Sequence, residues 1–128
     1  MAFEFASLVC PYERCPVKEG SDADRFKVST TVNSVSVYYL RTRPSRRPTP
    51  RDHRVTSTEF HTYQVTAYLT QYKKEDDGEI HLVLKDSAGR SMIADIPYGG
   101  CVPAISRWKT AIASTRATFT QHYTLSTD

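Results

Sequence analysis

Residues Thr62–Pro103 read TYQVTAYLTQYKKEDDGEIHLVLKDSAGRSMIADIPYGGCVP, and this stretch decides the fold. Tyr63, Val65, Ala67 and Leu69 alternate with Thr62, Gln64, Thr66, Tyr68 and Thr70, the period of two that a half-buried strand requires. A strand is therefore predicted from Thr62 to Tyr72. Ile80, Leu82 and Leu84 alternate in the same way with Glu79, His81, Val83 and Lys85. Met92, Ala94 and Ile96 alternate with Ser91, Ile93 and Asp95. Asp77-Gly78 and Ala88-Gly89 supply the positive-φ positions of tight hairpins. Pro97 ends the run because proline has no N–H for a ladder. Residues 62–97 thus read as a three-stranded antiparallel meander.

Outward from the meander the signals weaken. Residues 1–25 read as an irregular segment, with Pro11, Pro16, Gly20 and Ser21-Asp22-Ala23-Asp24 as turn formers. Gly20 points to a special backbone conformation. Around it, Asp22 or Asp24 is expected to cap its own turn, with Lys18 paired locally. Phe26–Leu40, FKVSTTVNSVSVYYL, is rich in β-branched residues and favours a strand interrupted near Asn33-Ser34. A short helix from Thr31 to Leu40, capped by Thr31, competes with it. Residues 41–58 form an Arg/Pro loop without a core of its own. Beyond Pro103 the period changes: Ile105, Trp108, Ile112, Thr115 and Phe119 mark the apolar stripe of one helix over 104–120.

A chain of 128 residues fits one domain, read here as 1–128. Its 39% apolar content suits a globular core. No window approaches the roughly 18 apolar residues of a membrane span. The start, MAFEFASLVCPYER, has no basic residue ahead of its apolar part and makes a poor signal peptide. A net charge of +3 is too small to establish a polyanionic partner. Its distribution says more. Arg41, Arg43, Arg46, Arg47, Arg51 and Arg54 crowd one segment, while Glu75, Asp76, Asp77 and Glu79 form an acidic tip. The plain reading of the arginine run is a solvated loop. A sharper one is a phosphate-contacting arm, and a third docks the arginines on the chain's own acidic tip.

Catalytic signals are weak. No Gly-x-Ser-x-Gly elbow is present. His81 lacks the partners of a metal site and is expected to hydrogen-bond a neighbouring strand. Cys101 follows Gly99-Gly100 with no histidine near it in sequence. Cys10, Cys15 and Cys101 form no CxxC pair, and three cysteines leave at least one thiol free or paired between chains. Tyr38, Tyr39, Tyr63, Tyr68, Tyr72 and Tyr98 fit a half-buried sheet. Beside a basic loop, Tyr63 and Tyr68 also fit base stacking, although the acidic tip would repel phosphates.

Tyr72-Lys73, then Glu75-Asp76-Asp77-Gly78-Glu79-Ile80-His81-Leu82-Val83-Leu84, then Met92-Ile93-Ala94 and Ile96-Pro97, resemble a group of uncharacterised, mostly exported bacterial proteins. Arg14, Val17-Lys18-x-Gly20-x-Asp22-x-Asp24 and Ala113-x-x-Arg116-x-x-Phe119 extend the likeness over nearly the whole chain. The resemblance implies an OB-like barrel and an exported protein, with no assigned activity. It also implies a disulfide between Cys10 and Cys101, whereas Cys15 stands where the group often has an aromatic residue. Many members of the group continue past the helix into two further strands. A five-stranded barrel would here be partly open, closed by the N-terminal segment, or completed by another chain.

The expected fold is mainly β (α+β), a small OB-like antiparallel barrel or half-barrel with one C-terminal helix. The expected function is a non-catalytic binding or interaction module without a cofactor. The alternative is single-stranded nucleic-acid binding through Arg41, Arg43, Arg46, Arg47, Arg51 and Arg54 with Tyr63 and Tyr68. A thiol- or metal-dependent hydrolase is the residual reading, and no catalytic or metal-binding residue is assigned. The expected partners are a protein or a second copy of the chain at an open sheet edge, or nucleic acid. The compartment is left open apart from the export that the resemblance implies.

Overall fold

The computed structural model describes residues 14–45, 47 and 49–125. Along them run α1 (Cys15–Glu19), β1 (Val32–Val35), α2 (Val37–Arg41), β2 (Thr62–Val65), β3 (Tyr68–Lys74), β4 (Ile80–Lys85), β5 (Ser91–Ile96) and α3 (Lys109–His122). Short 3₁₀ turns cover Arg25–Lys27, Ser57–Phe60 and Gly99–Cys101. The architecture is mixed α+β, with five strands in two separate sheets and one long C-terminal helix.

β3, β4 and β5 form the antiparallel meander expected from the alternation. Lys73 pairs with His81 and His81 with Asp95; Tyr72 pairs with Leu82 and Leu82 with Ala94. The register of β3 shifts between Leu69 and Gln71, where the Thr70 hydroxyl donates to the Val83 carbonyl at 3.2 Å. Such a bulge twists an edge strand locally.

No closed barrel forms among the described residues, which corrects the expected OB-like closure. The predicted strand Thr62–Tyr72 is broken at Thr66-Ala67 into β2 and β3. β2 then pairs in parallel with β1, Val32 opposite Thr62 through Val35 opposite Val65. A parallel pair needs a crossover of a dozen residues or more, and here it runs through α2, the Arg/Pro segment and Ser57–Phe60. Both readings of Phe26–Leu40 hold in part, since a four-residue strand is followed by a short helix, but the expected interruption at Asn33-Ser34 is corrected, because both residues lie inside the strand and pair with Tyr63 and Gln64. The cap of that helix is Ser36, not Thr31. The Ser36 hydroxyl accepts from the Tyr39 N–H at 2.9 Å.

α3 begins at Lys109 rather than near 104. Ser106 explains the delay. Its hydroxyl donates to the Glu19 carbonyl and accepts from the Trp108 N–H at 3.2 Å. A side chain so engaged holds the chain in a turn, and Ile105 is left 60% exposed. Within α3, Ile112 is buried. Phe119 meets Tyr72 of β3 edge-on, with centroids 5.3 Å apart. Arg116 donates to the carbonyls of Gly78 and Pro97 at 2.9 and 3.1 Å, tying the helix to the ends of the sheet.

The apolar core comprises Cys15, Val28, Val37, Ile80, Ile96, Val102 and Ile112. At the end of α1, Gly20 has φ +70° and lies under the Trp108 indole. A Cβ there would sit 2.0 Å from Trp108 Cε3, so glycine is required by both conformation and space. The expected Cys10–Cys101 disulfide is corrected too. Cys101 is a free thiol, Cys15 is buried and disulfide-bonded, and Cys10 lies outside the described residues.

Candidate anion-binding groove

A groove of about 480 Å³ opens between α1, α2 and the chain leading into Ser57–Phe60. Among the described residues, Arg14, Lys18, Arg43 and Arg47 bring four cationic side chains to it, and Glu59 brings the one carboxylate.

Arg14 reaches the groove from an unusual backbone, φ +53°, at the start of α1. A non-glycine residue in this region is strained unless its surroundings fix it, and three contacts do so. Its guanidinium donates to Glu59 (2.6 Å), to the Pro50 carbonyl (2.8 Å) and to the His53 carbonyl (2.6 Å). Burial pushes the Glu59 carboxyl up, but the Arg14 guanidinium and the Val55 N–H at 2.8 Å more than offset it and leave it below its ordinary value. Glu59 is therefore engaged and ionised, with Arg14 as its ion-pair partner.

Arg43 lies over the Tyr39 ring, 3.8 Å from its centroid, and its Nε donates to the Tyr39 carbonyl at 2.8 Å. Arg47 is exposed at the rim. Neither forms an ion pair with a carboxylate among the described residues. Lys18 sits between two sites. It lines the groove, and its ammonium is 3.1 Å from Glu79 and 3.5 Å from Asp95. Burial raises the Glu79 carboxyl against the pull of Lys18.

The other predicted residues are scattered. Arg54 is a structural cation. Its Nε and Nη2 hold both oxygens of Asp22 at 3.0 Å, while Nη1 donates to the Glu59 carbonyl and Nη2 also to that of Val17. Asp22 has a fully buried side chain and Arg54 one that is 9% exposed. Asp22 also accepts from the Asp24 N–H, the turn-capping role expected of it. Asp24 in turn accepts the Arg54 N–H, and that bond, with Lys27 beside it, brings its pKa down to about 2. Arg41 and Arg51 are exposed and line no part of the groove. Arg46 lies outside the described residues. Tyr63 is half-buried, donates to the Thr58 carbonyl at 3.1 Å, and has its phenol raised by burial. Tyr68 is exposed on β3, away from the groove lining.

Arg14 and Lys18 are the groove residues that sequence reasoning did not assign. Lys18 was expected to pair locally, but its partner Glu79 is sixty-one residues away. Tyr39 of α2 lies against the groove cation Arg43, whereas Tyr38 on the same helix lies under Arg90, 4.8 Å away and outside the groove lining.

A larger cavity, about 600 Å³, runs along β3 and is lined by Gln71, Tyr72, Lys73, His81, Val83 and Tyr123 among others. His81 makes the cross-strand hydrogen bond expected of it, Nδ1 to Asp95 Oδ1 at 3.0 Å. No nucleophile is paired with that histidine in the cavity lining. The Cys101 thiol is raised by burial, the reverse of activation. Among the described residues no group of His, Cys, Asp and Glu is arranged to hold a metal ion, and no helix is long and apolar enough to cross a membrane.

No family model matches the chain, and neither a curated protein nor a solved structure matches it significantly.

Proposed function

We propose that the protein is a non-catalytic binding module whose groove, formed by Arg14, Lys18, Arg43 and Arg47, takes an anionic ligand. The observation that carries this reading is the imbalance of charge. Glu59 is saturated by Arg14 and the Val55 N–H, while Arg43 and Arg47 face the same space without a carboxylate partner among the described residues. Guanidinium groups that present planar N–H forks favour phosphate and carboxylate ligands.

Within the anionic class, single-stranded nucleic acid is favoured by the exposed aromatics. Tyr38 and Tyr39 are 52% and 37% exposed on α2. Each already carries an arginine over its ring, Arg90 on Tyr38 and Arg43 on Tyr39. Stacking surfaces beside phosphate-binding cations are how single strands are held without sequence preference, and Tyr39, against the groove residue Arg43, is the ring so placed. The tyrosines of this proposal thus sit on a helix, in place of Tyr63 and Tyr68.

The test is anisotropy of a labelled oligothymidylate across a salt series. Binding that weakens steeply with salt, and falls at least tenfold in the double variant Arg43→Ala/Arg47→Ala, is expected. Absence of binding at low salt, or equal binding by the double variant, overturns the reading.

The edge of β3 is a separate matter. Its outer side is unpaired among the described residues. Lys73 and Lys74 are exposed on it and the register shifts at Thr70, and both features discourage self-pairing. The second copy expected at that edge therefore forms no part of this proposal, and the N-terminal segment expected as its other cover lies outside the described residues.

A further inference from the structure

We propose that the groove receives a terminal phosphomonoester, the phosphorylated end of a single strand, in preference to the phosphodiesters along its length. The proposal rests on the groove reading above and adds what the strand must carry.

The first observation is the charge that remains once the internal pairs are made. Arg14 is matched by Glu59 at 2.6 Å and Lys18 by Glu79 at 3.1 Å. Both are walls of the groove whose charge is already balanced. Arg43 and Arg47 line the same space and pair with no carboxylate among the described residues. Two positive charges are thus left over in one place. A phosphodiester brings a single negative charge and two free oxygens. A phosphomonoester carries about −1.5 to −2 at neutral pH and offers three oxygens. The monoester balances the pair of arginines, and the diester leaves one of them without a counter-charge.

The second observation is a set of donors. Ser45, Thr49, Thr56 and Thr58 line the groove beside the two arginines. Among the described residues none of these four hydroxyls has a hydrogen-bond partner. The Thr42 hydroxyl, close by in sequence, is by contrast taken up by the Tyr38 carbonyl at 2.8 Å. Hydroxyls and guanidinium forks together supply the many donors that a terminal phosphate accepts.

The third observation is extent. A path for successive phosphodiesters needs cations spread along a track. The groove is about 480 Å³, toward the small end of the roughly 300–1,000 Å³ of ligand pockets. The other described arginines of the segment do not prolong it. Arg41 and Arg51 lie outside its lining, and Arg54 is committed to Asp22. Arg43 lies 3.8 Å over the Tyr39 ring, which puts one stacking surface beside the phosphate seat for the nucleotide that bears it.

The experiment is a competition at low salt against a 3′-labelled, 5′-phosphorylated oligothymidylate, read by anisotropy. The competitors are unlabelled oligothymidylates of one length with a 5′-phosphate, with a 3′-phosphate, or with hydroxyls at both ends, and inorganic phosphate alone. An end-phosphorylated strand is expected to displace the probe at a concentration at least about tenfold below that of the hydroxyl-ended strand, the scale of added hydrogen bonds to a charged group. Whether the 5′ strand, the 3′ strand or both do so identifies the end that is read. Inorganic phosphate should compete more weakly than that strand, because it offers Tyr39 no base. In Ser45→Ala/Thr49→Val the preference for the phosphorylated end should fall at least about threefold. The preference is a ratio within one sample and does not depend on the folded fraction. Equal displacement by phosphorylated and hydroxyl-ended strands, inorganic phosphate as strong as the best strand, or a preference untouched in the double variant overturns the inference and leaves the groove reading standing. No binding of the labelled strand overturns both.

Discussion

Replacing Gly20 by alanine tests the packing that joins α1 to the segment before α3. Gly20 has φ +70° and ψ 29°, and its carbonyl accepts from the Arg107 N–H at 2.9 Å. A left-handed conformation at a residue bearing a Cβ costs about 1–2 kcal/mol. The added methyl would also lie 2.0, 2.6 and 3.2 Å from Cε3, Cζ3 and Cδ2 of Trp108. The ring cannot yield cheaply, because its backbone N–H is bound to Ser106 Oγ. The guanidinium groups of Arg107 and Arg54 also flank it, at 5.1 and 5.7 Å. Overpacking of this kind costs about 1–3 kcal/mol. The expected loss is thus about 2–5 kcal/mol, against a total near 5–15 kcal/mol for a folded domain. Gly89 is the internal control. It has φ +84° but nothing within 4 Å of its missing Cβ, so Gly89→Ala should lose only the conformational part, about 1–2 kcal/mol. Urea unfolding followed by Trp108, the sole tryptophan, reads both variants. Equal losses in the two would refute the claim that the indole holds this glycine. A loss below about 1 kcal/mol in Gly20→Ala would refute the left-handed cap itself.

Two further predictions concern the buried polar centre. Arg54→Met strands the buried Asp22 carboxylate and should cost about 3–5 kcal/mol in the same assay. Arg51→Ala, on an exposed side chain, should stay within about 0.5 kcal/mol; similar losses in the two would contradict the assignment of Arg54 as structural. Asp24 has its pKa lowered to about 2, first by the Arg54 N–H and then by Lys27, so it stabilises the fold above the ordinary carboxylate value of about 3.9 and this contribution is lost as pH falls toward 2. Asp24→Asn should therefore trail the intact protein at neutral pH, with the gap closing between about pH 4 and pH 2; a gap that persists at pH 2 would assign the loss to something other than ionisation.

The meander was legible because β3, β4 and β5 each carry a local, period-two signal and their turns carry glycine. Three features were not legible, and the first two depend on a partner distant in sequence. β1 and β2 are four residues long, too short for their alternation to state direction, and their parallel pairing follows from the crossover between them. The helix period at Ile105 is genuine as spacing. It is overridden because Ser106 bonds the Glu19 carbonyl, eighty-seven residues back. The Cys10–Cys101 pairing implied by resemblance does not form, since Cys101 is a free thiol.

The arginine segment shows most clearly what a run of like charges conceals. Read as a sequence, it offers a solvated loop, a phosphate arm, or self-docking, as though one answer served all six residues. The fold gives the described ones different surroundings, and Arg14 from outside the run adds a further anchor. Asp22 takes Arg54 into the interior, and Glu59 takes Arg14, which also grips the carbonyls of Pro50 and His53. At the other end Arg43 is fastened to Tyr39. The segment is therefore anchored on both sides of Arg47 by cations that are themselves satisfied. Arg47 and the face of Arg43 are presented to the groove from fixed ends. A ligand that meets them has less chain to order than one meeting a free loop, and ordering the binding surface is among the main costs of association. Under the proposed function, the structural arginines would contribute to binding through the position they give Arg43 and Arg47. On this argument Arg54→Met, where it still folds, should weaken anion binding although Arg54 does not line the groove.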